Sequence, residues 1–72
     1  MIDKGYLHKD RKGDLFSRIQ RGKHAFVRRY GEDPNSCDLH PEEIPAEQET
    51  LLGVRLNGNG SLRPGQYWFS VT

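Results

Sequence analysis

The fold is decided by residues 14–31, whose sequence is DLFSRIQRGKHAFVRRYG. Asp14 is a good helix N-cap, because its carboxylate accepts hydrogen bonds from the free amide groups of a first helical turn. Gly31 suits the left-handed position that ends a helix, and Arg28 and Arg29 in the last turn suit the helix dipole. The segment therefore predicts one helix over residues 15–30.

The predicted helix is amphipathic. At about 100° per residue its apolar side chains share an arc of roughly 120°, wide enough to face a core. These side chains are Leu15, Phe16, Ile19, Phe26, Val27 and Tyr30. Lys23 falls inside the same arc, so we expect its aliphatic stem to lie over the edge of the core. Four arginines share the opposite face, and they are Arg18, Arg21, Arg28 and Arg29.

Three later segments alternate apolar and polar residues, as strands do. They are residues 37–40, 50–56 and 66–71, and the stretch Asn57-Gly58-Asn59-Gly60 predicts tight type I′ turns between the last two. Because the connections are too short for crossover helices, we expect a mainly antiparallel sheet. The predicted fold is α+β, with one amphipathic helix packed on a sheet of about three strands. The predicted core is Leu15, Ile19, Phe26, Leu39, Val54, Leu56, Phe69 and Val71.

The chain of 72 residues is long enough for one small domain. Residues 1–13 form a basic lead-in, where Ile2, Tyr6 and Leu7 are candidates for a further strand, and residues 14–72 form the single α+β domain. No apolar run approaches the ~20 residues of a membrane span, and the N-terminus lacks the apolar core of a secretory signal. The single Cys37 excludes an internal disulfide and favours a reducing, cytoplasmic location.

Neither a metal site nor a catalytic site is favoured by the sequence. Cys37 and His40 have the spacing of one zinc-ligand pair, with His24 and His8 further away, but a structural zinc site needs a second pair. No motif combines a nucleophile, a base and an orienting group, and the glycine-rich turn lacks the lysine of a phosphate-binding loop. We therefore expect a non-enzymatic protein with no cofactor, no metal and no small-molecule substrate.

Charge is divided unevenly along the chain. Residues 1–30 carry a net charge of +6 and residues 31–72 a net charge of −5. Either the two halves neutralise each other within one fold, or the basic half contacts a charged partner. Arginine matches phosphate geometry, so the second hypothesis predicts a small prokaryotic or phage-type module that contacts nucleic acid or another polyanion. Its contact residues would be Lys9, Arg11, Lys12, Arg18, Arg21, Arg28 and Arg29.

Trp68 supports an alternative function. If Tyr67 and Phe69 face the helix, strand alternation places Trp68 on the uncovered side of the sheet. Tryptophan is a favoured anchor at protein interfaces, although a lone tryptophan covered by the lead-in or by residues 41–49 is equally compatible with the sequence. The alternative is thus a protein–protein interaction or accessory protein, which docks through the open sheet face at Trp68 or pairs its basic helix face with an acidic protein surface. The partner at the sheet face would then include a second copy of the chain.

Overall fold

The structure is a computed structural model that describes residues 4–72; the start of the lead-in, including Ile2, lies outside the described residues. Within residues 4–72, one helix packs against one face of a five-stranded sheet whose spatial order is β1-β5-β2-β4-β3. The elements are β1 (Gly5–Lys9), α1 (Leu15–Tyr30), β2 (Ser36–Leu39), β3 (Thr50–Leu51), β4 (Val54–Gly58) and β5 (Gln66–Ser70), with a 3₁₀ turn at Pro41–Glu43. Within the described residues, no helix is both long enough and apolar enough to cross a membrane.

The helix has the predicted ends. The Asp14 Oδ1 atom accepts a hydrogen bond of 2.9 Å from the Ser17 amide, and Gly31 is left-handed with φ of 75°. The Gly31 amide donates to the Val27 carbonyl over 2.7 Å, which completes the C-terminal cap. Both boundaries are set by local chemistry, and this is why the sequence was sufficient to predict them.

The α+β class is confirmed, but the predicted mainly antiparallel sheet of about three strands is corrected in its strand number and by one parallel pairing. The sheet has five strands and is mixed, because β2 and β4 run parallel while β1–β5, β2–β5 and β3–β4 are antiparallel. Residues 40–53 separate β2 from β4, and a connection of about a dozen residues suffices for a parallel crossover without a helix of full length. The additional strand β1 comes from the basic lead-in.

The tight hairpin turn also lies elsewhere than predicted. Leu52 and Gly53 both have positive φ values, 54° and 76°, and they join β3 to β4 where Leu51 pairs with Val54. Asn57 and Gly58 instead continue β4, whereas Asn59 and Gly60 do begin a turn, closed by a bond of 3.1 Å from the Leu62 amide to the Asn59 carbonyl. Lys23 stabilises the turn from the helix: its Nζ donates to the Leu52 carbonyl over 2.8 Å, as expected for a lysine whose stem lies over the core edge.

The core lies between α1 and the sheet. Its buried apolar residues are Ile19, Phe26, Cys37, Leu39, Val54, Leu56, Tyr67 and Phe69, whereas the predicted members Leu15 and Val71 are only partly buried. The helix approaches β5 closely at Gly22, where a Cβ atom would overlap the Phe69 ring. Phe16, at the margin of the predicted apolar arc, is 47% exposed.

Candidate functional site

The predicted basic residues divide into a bonded set and an exposed set. Arg18 and Arg21 carry the bonded guanidinium groups, and both reach from α1 to the segment between β1 and α1. The exposed set contains Lys9, Arg11, Lys12, Arg28 and Arg29, none of which forms an ion pair within residues 4–72. The structure thus does not present the four helical arginines as one equivalent surface.

Arg21 clamps Asp10. Its Nε and Nη2 atoms donate to the two oxygens of the Asp10 carboxylate over 2.6 and 3.1 Å, and Nη2 also donates to the Lys12 carbonyl. The Lys12 amide donates to the same carboxylate over 2.9 Å, and His8 Nε2 lies 3.1 Å from it. The bond from Arg21, followed by that from Lys12, lowers the pKa of Asp10 far below its ordinary value.

Arg18 holds the other side of the same segment. It donates to the Arg11 carbonyl over 2.9 Å and to the Tyr67 hydroxyl over 3.2 Å, and it lies 3.8 Å from the Glu43 carboxylate. Burial, followed by the nearby Glu43 carboxylate, raises the pKa of Tyr67 to about 12, so this hydroxyl is neutral at physiological pH. Arg18 and Arg21 therefore fix the position of residues 10–12 relative to the helix.

This arrangement exposes a basic groove at one end of the sheet. We define the basic groove as the open cavity of about 320 Å³ between the end of β1 and the turn before β5. It is lined by Lys9, Asp10, Arg11, Arg63, Pro64, Gly65 and Gln66. Its one carboxylate belongs to Asp10 and is already bound by Arg21, so the groove presents the cations of Lys9, Arg11 and Arg63.

Sequence reasoning missed Arg63. It lies far from the helix in sequence, within a turn that carries no basic cluster of its own. The antiparallel pairing of Lys9 with Gln66 and the bond from the Asp10 amide to the Gly65 carbonyl bring this turn beside the lead-in. Gly65 has φ of 89° and packs against the Arg11 stem, so a side chain there would be both strained and obstructed.

Arg28 and Arg29 lie near the opposite end of the helix. They are seven or more residues beyond Arg21, which corresponds to about 10 Å along a helix axis. The Arg29 guanidinium carbon lies 5.7 Å from the centre of the Tyr30 ring, within cation–π range. The structure therefore does not bring these two arginines to the basic groove.

Trp68 lies on the sheet face opposite α1, as strand alternation predicted. It is 40% exposed, and its register neighbours are Leu7 on β1 and Asp38 on β2. Leu7 is 37% exposed, so two large apolar side chains lie side by side on this face. Residues 5–9 of the lead-in do not cover Trp68, because they pair beside β5 as an edge strand.

Cys37 and His40 are not brought together as a ligand pair. Cys37 is fully buried in the core, and burial raises the pKa of its thiol to about 12. His40 instead caps the 3₁₀ turn, where its Nδ1 accepts from the Glu42 amide over 3.1 Å. Across residues 4–72, no three side chains of His, Cys, Asp or Glu converge on a position that would hold a metal ion.

Comparison with known proteins gives no match to a family model, to a curated protein or to a solved structure.

Proposed function

We propose that the protein is a small non-enzymatic binding module that contacts nucleic acid through the basic groove. The observation that carries the proposal is the set of cations at this end of the sheet, which have no ion-pair partner within residues 4–72. They are Lys9, Arg11 and Arg63 in the groove and the neighbouring exposed Lys12. Unpaired cations lining a concave surface favour a polyanion.

Arg18 and Arg21 have a supporting role in this proposal. Their guanidinium groups hold the main-chain carbonyls of Arg11 and Lys12, and these two residues carry two of the exposed cations. The side chains that contact phosphate are then those of Lys9, Arg11, Lys12 and Arg63. A location in a reducing cytoplasm remains a prediction from the lone cysteine.

The salt dependence of binding tests the proposal. Four phosphate contacts imply a slope of log affinity against log salt of about −3.6 on duplex DNA, and of about −2.8 on a single strand. The affinity for a single strand should therefore fall about 50-fold between 50 and 200 mM salt. The measurement is fluorescence anisotropy of labelled oligonucleotides titrated with the protein at several salt concentrations.

A matched pair of variants locates the contact. Lys9→Gln with Arg11→Gln removes two groove cations, whereas Arg28→Gln with Arg29→Gln removes the same charge from the far end of the helix. We expect the groove variant to lower the salt slope by about 1.4 on a single strand, and the helix variant to leave it nearly unchanged. Equal decreases in the salt slope for the groove variant and the helix variant would mean that net charge alone drives binding. No binding at 50 mM salt would refute the proposal.

The pair of exposed apolar side chains favours a second candidate function, docking of a protein partner on the open sheet face. Leu7 and Trp68 form a contiguous apolar strip beside the edge strand β1. The Val71 amide donates to the Lys4 carbonyl, and the Asp10 amide donates to the Gly65 carbonyl. Because hydrogen-bonded and non-hydrogen-bonded pairs alternate along an antiparallel ladder, the N–H and C=O groups of Leu7 and Lys9 point away from β5. These groups are available to pair with another strand. This candidate predicts no nucleic-acid binding, and light scattering measures whether the partner is a second copy.

A further inference from the structure

The open sheet face and the basic groove are continuous. Leu7 and Lys9 of β1 pair with Trp68 and Gln66 of β5, and side chains two residues apart on a strand share a face. Lys9 and Gln66 also line the groove. Trp68 and Lys9 therefore lie on the same face of the same two strands, with Leu7 between them on β1. The indole itself extends the other way, over Gly5, which is four residues or about 13 Å along β1 from Lys9.

The Trp68 ring is held in place rather than free in solvent. Its six-membered ring lies over the main chain of Gly5, where a Cβ atom would overlap Trp68 Cζ2 and Cη2. Gly5 thus provides the space that lets the indole rest on the sheet, while 40% of the residue remains exposed. An aromatic ring held by the main chain beneath it loses little freedom when a ligand packs on its exposed part.

The Trp68 ring has an acidic side chain on one side and basic side chains on the other. Asp38 is the register neighbour of Trp68 on β2, whereas the cations of Lys9, Arg11 and Arg63 lie beyond β1 and the β5 turn. A phosphate on the β2 side would face the Asp38 carboxylate, and Lys4, which lines a cavity with Gly5 and Trp68, is already paired with Glu32. A phosphate backbone is therefore favoured on the groove side. A ligand with a flat ring for Trp68 and a chain of anions for the groove matches both surfaces.

We propose that this site takes single-stranded nucleic acid, with one base stacked on Trp68 and phosphates further along the same strand in the basic groove. The inference rests on the proposed function and specifies its substrate class. A duplex keeps its bases stacked on each other, so it offers no free ring to an indole on a sheet surface. A single strand offers an unstacked base beside every phosphate, and base–aromatic stacking tolerates any sequence because every base has a π face.

The test compares a labelled oligo(dT) single strand with a labelled duplex of the same length at 50 mM salt, by fluorescence anisotropy. We expect the single strand to bind more tightly and to quench the fluorescence of Trp68, the one tryptophan of the chain. Trp68→Ala should weaken single-strand binding about 5- to 150-fold, the effect of one stacked base, and should leave duplex binding nearly unchanged. Trp68→Phe keeps an aromatic ring and should retain most of the affinity.

Leu7→Ala is the matched control, because it removes a neighbouring apolar side chain of similar exposure that has no π system. Equal weakening of single-strand binding by Leu7→Ala and Trp68→Ala would overturn stacking, because Leu7 has no π system. Equal binding of both oligonucleotides, unaffected by Trp68→Ala, would overturn this inference and leave the proposed function standing. Absence of binding to either oligonucleotide would overturn both. If Trp68→Ala does not fold, the quenching of the unmodified protein and the affinity of Trp68→Phe decide the question.

Discussion

Replacement of Asp10 by asparagine tests whether the basic groove is built on the clamp between Asp10 and Arg21. The carboxylate receives two hydrogen bonds from Arg21 and one from the Lys12 amide, and only 8% of this side chain is exposed. Hydrogen bonds to charged groups contribute about 1.5–3 kcal/mol each in favourable cases, but Arg21 is nearly half exposed and solvent screens its share.

We therefore expect Asp10→Asn to lower the free energy of unfolding by about 1–2 kcal/mol. For a domain of this size the loss corresponds to a fall in melting temperature of roughly 5–15 °C. Circular dichroism melts at pH 7 measure it, with Asp33→Asn as the matched control. Asp33 is an exposed aspartate that forms no ion pair within residues 4–72.

The pH dependence of the stability difference between the wild type and Asp10→Asn shows whether the ionised Asp10 carboxylate is its cause. Because the pKa of folded Asp10 lies below the ordinary value of 3.8, its contribution to stability is fully present above pH 3.8 and is lost as the pH falls towards the folded pKa. The difference in unfolding free energy between the wild type and Asp10→Asn should thus narrow below about pH 4. Coincident melts of Asp10→Asn and Asp33→Asn at pH 7 would refute the clamp.

Two further predictions concern the core. Gly22→Ala gains about 1 kcal/mol of helix propensity, but it forces a Cβ atom into the fully buried Phe69 ring, and overpacking of this kind costs about 1–3 kcal/mol. We therefore expect urea unfolding to show a lower free energy of unfolding for Gly22→Ala than for the wild type. The exposed Gln20→Ala should stay within about 0.5 kcal/mol of the wild type, and a Gly22→Ala protein more stable than the wild type would contradict the close approach. The Cys37 thiol is buried and its pKa is raised to about 12, so at pH 8 it should react with a disulfide reagent only as fast as the protein unfolds. A reaction rate that does not increase with denaturant concentration would contradict the burial of Cys37.

The features that the sequence predicted correctly depend on neighbours in the chain. The ends of α1 follow from Asp14 and Gly31, which act within one helical turn. The two faces of β5 follow from alternation, which buries Tyr67 and Phe69 and exposes Trp68. In both cases the residues that set the structure are only a few positions away in the chain, so the sequence pattern is sufficient to predict it.

The features that the sequence did not predict depend on tertiary pairing. Leu52 carries none of the usual signals for a left-handed residue, and its conformation follows from the pairing of Leu51 with Val54. Asn57 and Gly58 carry a strong turn signal, but both pair with β2 and continue a strand. Pairing with a neighbouring strand therefore overrides local turn propensity at both positions.

The same reason explains the outcome for the arginine face. Helical periodicity placed Arg18 and Arg21 away from the core, which is correct, but it gave no information about what lies beside them. Their partners, Asp10, Tyr67 and Glu43, come from three other parts of the chain. A charge on the outer face of a helix is therefore available to a ligand only if the segments around that helix supply no partner of their own.

The uneven distribution of charge between the two halves now has a partial structural explanation. Lys4 pairs with Glu32 and Arg18 lies near Glu43, so these two pairs join the basic half to the acidic half, whereas Arg21 pairs within the basic half. Mutual neutralisation thus accounts for some of the basic residues, but within residues 4–72 it leaves the groove cations without ion pairs. Unpaired cations that repel one another across a concave surface add nothing to the stability of the fold. In the proposed function these cations contact the phosphates of a single strand, and Trp68 stacks on one of its bases.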